Sequence, residues 1–257
     1  MKRTPGRRRL LQRSFAAGAS LLLSACDRLT LNQPFADLMK NAQWLSRAAQ
    51  DRLAGPHALA QEFSPAEIRE PFRPNGTLMP AGAAYQALLA DGFAHWRLRV
   101  DGLVRTPLDL SLTQLRAMPR RTQITRHDCV EGWSCIGQWS GVQLARVLAQ
   151  AQPMPRARYV VFHCADQMEE GDPGSLYYES IDLDDAFHPQ TLLAFELNGR
   201  ALPVENGAPL RLRVERQLGY KHAKYVMRVE LVESFAQLHG GQGGYWEDQG
   251  YEWYAGV

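Results

Sequence analysis

From Trp96 to Asp101 the chain alternates apolar and charged side chains one for one, Trp96, Leu98 and Val100 against Arg97, Arg99 and Asp101. Successive side chains of a strand point to opposite faces, so a period of two defines a strand with one buried face and excludes a helix there. Asp101-Gly102 then predicts a turn. Further strands are predicted at Thr122 to Asp128, Tyr159 to Cys164, Leu192 to Leu197, Leu210 to Val214 and Tyr225 to Val232, with a hairpin turn at Asn198-Gly199. Helical signals are few and short. Ser111 caps a helix through Leu115, and Leu144, Val147, Leu148 and Ala151 line one face of a helix that Pro153 ends. The fold class is therefore α+β, with a mixed sheet and short helices.

The N-terminus reads as an address. Lys2, Arg3, Arg7, Arg8, Arg9 and Arg13 precede an apolar run from Phe15 to Leu23 that is too short to span a bilayer, and Leu23-Ser24-Ala25-Cys26 follows. Residues 1–25 are thus a secretory signal. Arg7-Arg8-Arg9-Leu10-Leu11-Gln12 resembles a twin-arginine signal, and the run ending at Cys26 resembles a lipobox, whose cysteine carries a lipid anchor. The protein is expected in the periplasm, held at the inner membrane as a lipoprotein. Those six basic residues belong to 29 Lys and Arg in all, so the rest of the chain carries 23 against 27 Asp and Glu. A mildly acidic body lacks the basic face that nucleic-acid binding needs.

Residues 26–70 are polar and Ala/Gln-rich, with a helical stretch near Trp44 to Leu53, and read as a tether and wrapping arm. Pro71 to Pro80 is punctuated by Pro and Gly and reads as a loop opening the main domain, residues 71–257. The Gly-rich tail from His239 carries Tyr245, Trp246, Tyr251, Trp253 and Tyr254, too much aromatic surface to leave in water, so it should dock on the domain.

The informative stretch is Arg126-His127-Asp128-Cys129-Val130-Glu131-Gly132-Trp133-Ser134. A strand ending in Cys129, a Gly-containing loop and a helix from Gly141 would present a thiol at the lip of a sheet. A lone cysteine is more often a buried structural one. Here the charged neighbours argue otherwise, and Arg126 and His127 should favour the thiolate that metals require. If Cys26 is lipidated, Cys129, Cys135 and Cys164 remain, an odd number. A Cys135–Cys164 bridge is open, and their spacing does not suit zinc.

Arg-x-x-Cys-Val-Glu-Gly-Trp-Ser resembles the cofactor loop of sulfite-oxidase-like molybdenum enzymes, closest to the exported bacterial branch that includes the periplasmic methionine-sulfoxide reductase. The likeness runs from Phe72 to the C-terminus: Phe72-Arg73-Pro74-Asn75, the Trp96–Gly102 strand, Leu193–Gly199, Pro209–Leu212, Gly219-Tyr220-Lys221-His222-Ala223-Lys224-Tyr225, and the tail at 244–248. It implies a molybdenum–molybdopterin cofactor with one dithiolene, ligated by the soft thiolate of Cys129. It also implies a phosphate site at Gly219, Lys221 and Lys224, with Asn75, Arg126, His127, Gly132, Ser134, Arg213 and His222 as pterin contacts. Tyr178, or its neighbour Tyr177, is expected to donate a hydrogen bond to the transferred oxygen.

The chain departs from true sulfite oxidases after the cysteine, where their arginine-rich run is replaced by Val130, Glu131, Gly132, Trp133 and Ser134. A carboxylate beside the metal opposes an anionic substrate. Glu131 therefore points to a neutral S- or N-oxide and two-electron oxygen-atom transfer, rather than to sulfite oxidation. The chain has no Cys-x-x-Cys-His and no iron–sulfur spacing, so electrons should come from a separate haem- or quinone-linked partner. A cysteine-nucleophile enzyme using His127 or His163, and a cofactor-free lipoprotein on the same fold, are the competing classes.

Overall fold

The computed structural model describes residues 42–53, 55, 58–169, 172 and 174–257, together with Asn32 and Pro34. The export signal and Cys26 lie outside the described residues. Two compact units result, residues 1–49 and 50–257, with helix α1 (Ala42–Leu53) containing the boundary. Everything below concerns the second unit. Among the described residues no helix is long and apolar enough to cross a membrane.

The elements of this unit follow in chain order: α2 (Ala83–Ala90), β1 (Arg97–Gly102), β2 (Leu108–Ser111), α3 (Leu112–Ala117), β3 (Arg120–Cys129), β4 (Trp133–Gln143), α4 (Leu144–Ala151), β5 (Tyr159–Gln167), β6 (Leu176–Asp182), α5 (Leu183–Phe187), β7 (Leu192–Leu197), β8 (Arg200–Ala201), β9 (Arg211–Arg213), β10 (Val226–Val232) and α6 (Tyr245–Asp248). They form two five-stranded sheets. One, ordered β2-β1-β10-β5-β6, is mixed because β1 and β10 run parallel. The other, β3-β4-β7-β8 with β9 on β7, is antiparallel. The domain is α+β.

The alternation that opens the domain is realised: Trp96, Leu98 and Val100 have no exposed surface, while Arg97 and Arg99 face out. The main core draws on both sheets, with Phe162 and Cys164 of β5, Phe195 of β7 and Leu212 of β9, and on Leu144, Val147, Leu148 and Ala151 of α4. Ser111 caps α3, accepting from the backbone of Gln114. A second cluster, Phe72, Cys135, Trp139, Ala194, Leu197 and Leu202, packs elsewhere on the antiparallel sheet. Cys135 and Cys164 therefore belong to different cores, and Cys129, Cys135 and Cys164 are all free thiols.

Two local expectations need correction. Gly102 is the last residue of β1, paired with Leu231, so no turn begins at Asp101. Gly141 lies in β4, where a Cβ would meet the Leu193 carbonyl at 2.2 Å. It permits close strand approach and does not start a helix. Strands β4 and β6 were not expected from the sequence, because both carry polar residues on buried positions. Residues 60–69 lie along the antiparallel sheet: Phe63 donates to Ile124 on β3, Arg69 to Ile136 on β4, and the Gln190 side chain bonds Ala60 in both directions. They cover the outer edge of the antiparallel sheet, which otherwise would present unpaired backbone. The aromatic tail docks, with Trp253 and Tyr254 buried.

Candidate functional site

Cys129 ends β3 and pairs with Trp133 across a tight hairpin, closed by the Gly132 amide donating to the Cys129 carbonyl at 3.0 Å, with Gly132 at φ +82°. The hairpin tip forms one wall of a cavity of about 170 Å³. Asn75 and Thr77 of the Pro/Gly loop, Asp166 and Met168 from the end of β5, Tyr177, the Gly219–Lys224 run, and Trp246 and Tyr251 of the tail supply the rest. Six of the residues singled out in the sequence, Asn75, Cys129, Glu131, Gly219, His222 and Lys224, therefore meet around one space.

Behind the cavity lies a buried layer. His127 is fully buried, and its Nδ1 accepts from Arg213 Nη1 at 2.9 Å. The proton must then sit on Nε2, which has no partner. A Cβ on Gly219 would come within 2.6 Å of that nitrogen, so only glycine fits. His222 donates from Nε2 to the Gln217 carbonyl at 2.9 Å, leaving Nδ1 a bare acceptor. Burial, and after it the Arg211 and Arg213 charges, push both imidazoles well below the usual histidine range, so both are neutral. Arg211 donates to Asn75 Oδ1 at 3.0 Å and to the Asn206 carbonyl, while its Nε is unpartnered. Burial and the neighbouring Arg213 lower it to about 9. Both guanidinium groups lie over the Trp139 ring.

Several sequence expectations change here. Lys221, expected at a phosphate, is instead fully buried and ion-paired with Glu179 and, at 2.6 Å, with Glu247. Lys224 lines the cavity but donates to the carbonyls of Asn75, Thr77 and Glu205, tying the loop to the turn before β9. Tyr178 lies outside the cavity lining; its ring stacks on His239 with centroids 4.1 Å apart and its hydroxyl donates to Asp248 at 2.5 Å. Adjacent strand residues face opposite ways, so Tyr177 faces the cavity instead, its hydroxyl committed to the Tyr220 carbonyl. Arg126 pairs with Asp128 at 2.8 Å and lines a separate small hollow, and Ser134 donates to Asp128. Arg213 and His127 form the supporting layer, with Arg213 paired to Glu215. The thiol, too, is not primed as a thiolate. Burial raises Cys129, and the Glu131 charge adds to this, against the Glu131 amide and the Arg73 and Arg211 charges. A metal cation must itself displace the proton.

Asp166 and Arg211 are the residues the sequence reading passed over. Arg211 lies in the strand predicted at Leu210 to Val214 and is not singled out there, yet its guanidinium, like that of Arg213, lies over the Trp139 ring. Asp166 lies beyond the strand predicted at Tyr159 to Cys164, but it continues the inward row Val160, Phe162 and Cys164. Burial pushes its carboxyl up to about 7, against the opposing charge of Lys224.

Asp166 Oδ1 and His222 Nδ1 in the cavity lining, and His127 Nε2 beside Gly219 and Arg211 Nε beside Asn75, are buried polar atoms without partners. Orphans of this kind are rare in folded proteins and call for a ligand. Donors and acceptors at the edge of a neutral imidazole pair, a glycine cradle and one soft sulfur fit a molybdenum–pterin group.

Comparison with known proteins agrees. The family model for the oxidoreductase molybdopterin binding domain matches residues 86–239. A protein of Azospira oryzae bearing the provisional name protein-methionine-sulfoxide reductase subunit YedZ1 is 37% identical over 254 residues, 98% of this chain and 88% of its own length. The protein-methionine-sulfoxide reductase catalytic subunits MsrP of Gluconobacter oxydans and Ralstonia nicotianae are 40% and 38% identical over 54% of this chain. This chain spans 47% and 44% of those two. The sulfane dehydrogenase SoxCD of Paracoccus pantotrophus shares the fold, with a TM-score of 0.50 and 22% identity over 70% of this chain and 46% of its own.

Proposed function

Because the chain belongs to the family of oxidoreductases built on the molybdopterin-binding domain, we propose that it reduces a neutral sulfoxide of the methionine-sulfoxide class by two-electron oxygen-atom transfer. The observation that carries this is the charge around Cys129. Glu131 stands beside the sulfur, while Arg211 hydrogen-bonds Asn75 and Asn206 and Lys224 hydrogen-bonds three carbonyls. The Glu131 carboxylate opposes a dianion such as sulfite at that point, whereas a neutral S-oxide meets no such repulsion. The names of the relatives support the same substrate class.

When bound, the molybdenum–pterin group supplies the two-electron couple and the acceptor for the oxygen atom. Cys129 would hold the metal, and His222, His127, Asn75 and Arg211 would contact the pterin. Trp246 and Tyr251, stacked with centroids 5.3 Å apart, and Met168 form an apolar rim against which a thioether-like group packs and water is displaced. The relatives are named as subunits, which supports a separate electron donor for this chain. Residues 1–25 and Cys26 support export to the periplasm with a lipid anchor.

The test uses enzyme from a molybdopterin-competent host, assayed with reduced viologen and methionine sulfoxide, and with sulfite and ferricyanide. Sulfoxide reduction is expected to dominate, with about one molybdenum per chain that Cys129→Ala loses. Sulfite oxidation outrunning sulfoxide reduction overturns the substrate reading, and full molybdenum in Cys129→Ala overturns the ligand assignment.

A further inference from the structure

We propose that Asp166 is the acid that passes a proton into the cavity beside Cys129 during sulfoxide reduction, an inference that rests on the substrate class argued above. The side chain is 4% exposed and lines the cavity. It occupies the inward row of β5 where an apolar residue would continue Val160, Phe162 and Cys164, at a point where the pairing of β5 with β6 is interrupted between His163 and Gln167. Irregular pairing of this kind re-aims side chains beside active sites. The carboxyl oxygen Oδ1 is buried and has no partner. A buried carboxylate with an empty acceptor is an expensive arrangement, whereas a carboxylic acid whose O–H faces a cavity is not.

The surroundings favour the protonated form without pinning it. Tyr85, Tyr177, Tyr225 and Cys164 face Asp166, and burial holds all four above their usual ranges, so none offers charge. Glu179 is held in its pair with Lys221. Lys224 supplies the opposing positive charge, but its three protons go to carbonyls rather than to Asp166. An acid raised by burial and moderated by one fixed cation releases its proton near neutral pH, where a general acid is most effective.

The stoichiometry requires such a group. A sulfoxide takes up two electrons and two protons to give a sulfide and water: the sulfur–oxygen bond breaks, sulfur gains the electron pair, and the oxygen leaves in water. The electrons arrive one at a time from the redox partner. The Asp166 O–H bond breaks to deliver one proton; solvent delivers the other and later reprotonates the carboxylate.

The experiment compares wild-type, Asp166→Asn and Asp166→Glu holoenzymes in three measurements: molybdenum content, infrared absorption of the protonated carboxyl against pH, and single-turnover oxidation of viologen-reduced enzyme by methionine sulfoxide. Expected are unchanged molybdenum and a carboxylic-acid band that wild type loses as pH rises through about 7 and that Asn lacks. Single turnover should slow by about 100-fold in Asn and recover in part in Glu. An Asn variant within about threefold of wild type, an Asp166 already ionised in acid, or loss of molybdenum with the Asn change would each overturn the assignment, the last by making Asp166 a cofactor anchor. A wild type inert towards every sulfoxide would instead refute the substrate class itself.

Discussion

His127 and His222 meet edge to face with ring centroids 5.0 Å apart, one offering a donor nitrogen and the other an acceptor, both unpartnered. Both are held well below the usual histidine range in the fold but titrate normally when unfolded. A depressed folded-state pKa contributes stability that is present above the unfolded value of about 6.5 and is lost as pH falls towards the folded one. Each histidine should therefore remove up to about 1.4 kcal/mol of stability per pH unit below about pH 6. Urea unfolding of the cofactor-free protein down to about pH 5 should show a slope that His222→Gln reduces by one histidine's share. Parallel curves for wild type and variant would contradict the neutral pair.

Gly219→Ala places a methyl group within 2.6 Å of His127 Nε2. The imidazole is clamped from behind by Arg213, so it has little room to retreat. The variant should lose about 1–3 kcal/mol of stability and most of its molybdenum, as measured by thermal melting and metal analysis. A fully loaded Gly219→Ala enzyme would show that the cradle does not seat the cofactor.

Lys221→Met leaves Glu179 and Glu247 facing one another in the interior without their cation. Removing one partner of a buried ion pair typically costs about 3–5 kcal/mol. Because α6 carries Glu247, the aromatic tail should also become sensitive to protease. Adding Glu179→Gln and Glu247→Gln should restore much of the loss. The penalty must appear without cofactor; a variant destabilised only when loaded would reinstate Lys221 as a phosphate ligand.

Trp246→Ala and Tyr251→Ala remove the stacked rim. If the rim grips the thioether-like part of the substrate, KM for methionine sulfoxide should rise by up to about tenfold with kcat little changed. A fall in kcat at constant KM would place these rings in the reaction rather than in binding.

Arg7→Lys with Arg8→Lys tests export. Cell fractionation should find the double variant retained in the cytoplasm, and normal export would remove the twin-arginine reading.

Much of the scaffold is legible because it follows from periodicity. The Trp96–Val100 alternation, the α4 stripe and the Ser111 cap each depend on local rules that the tertiary structure obeys. What escaped were positions where polarity is buried. Tyr178, Glu179 and Ser180 make β6 unreadable as an inward strand, because their burial depends on the tail folding over them. Lys221 illustrates the same difficulty in the site. A lysine in a glycine-led loop reads as an anion ligand, and the two glutamates that claim it lie 42 and 26 residues away in sequence. The hairpin that carries Cys129 follows from a strand ending at a Gly-containing loop, whereas Asp166 and Arg211 acquire meaning only from the elements that cover them.

Asn75 stands near the start of the domain and Tyr251 near its far end, yet both line the same cavity. During synthesis, a chain that has emerged as far as β10 still lacks the rim, and no fragment holds a finished pocket. The lining of the cavity is therefore complete only once both ends of the domain have been made and the tail has packed against it.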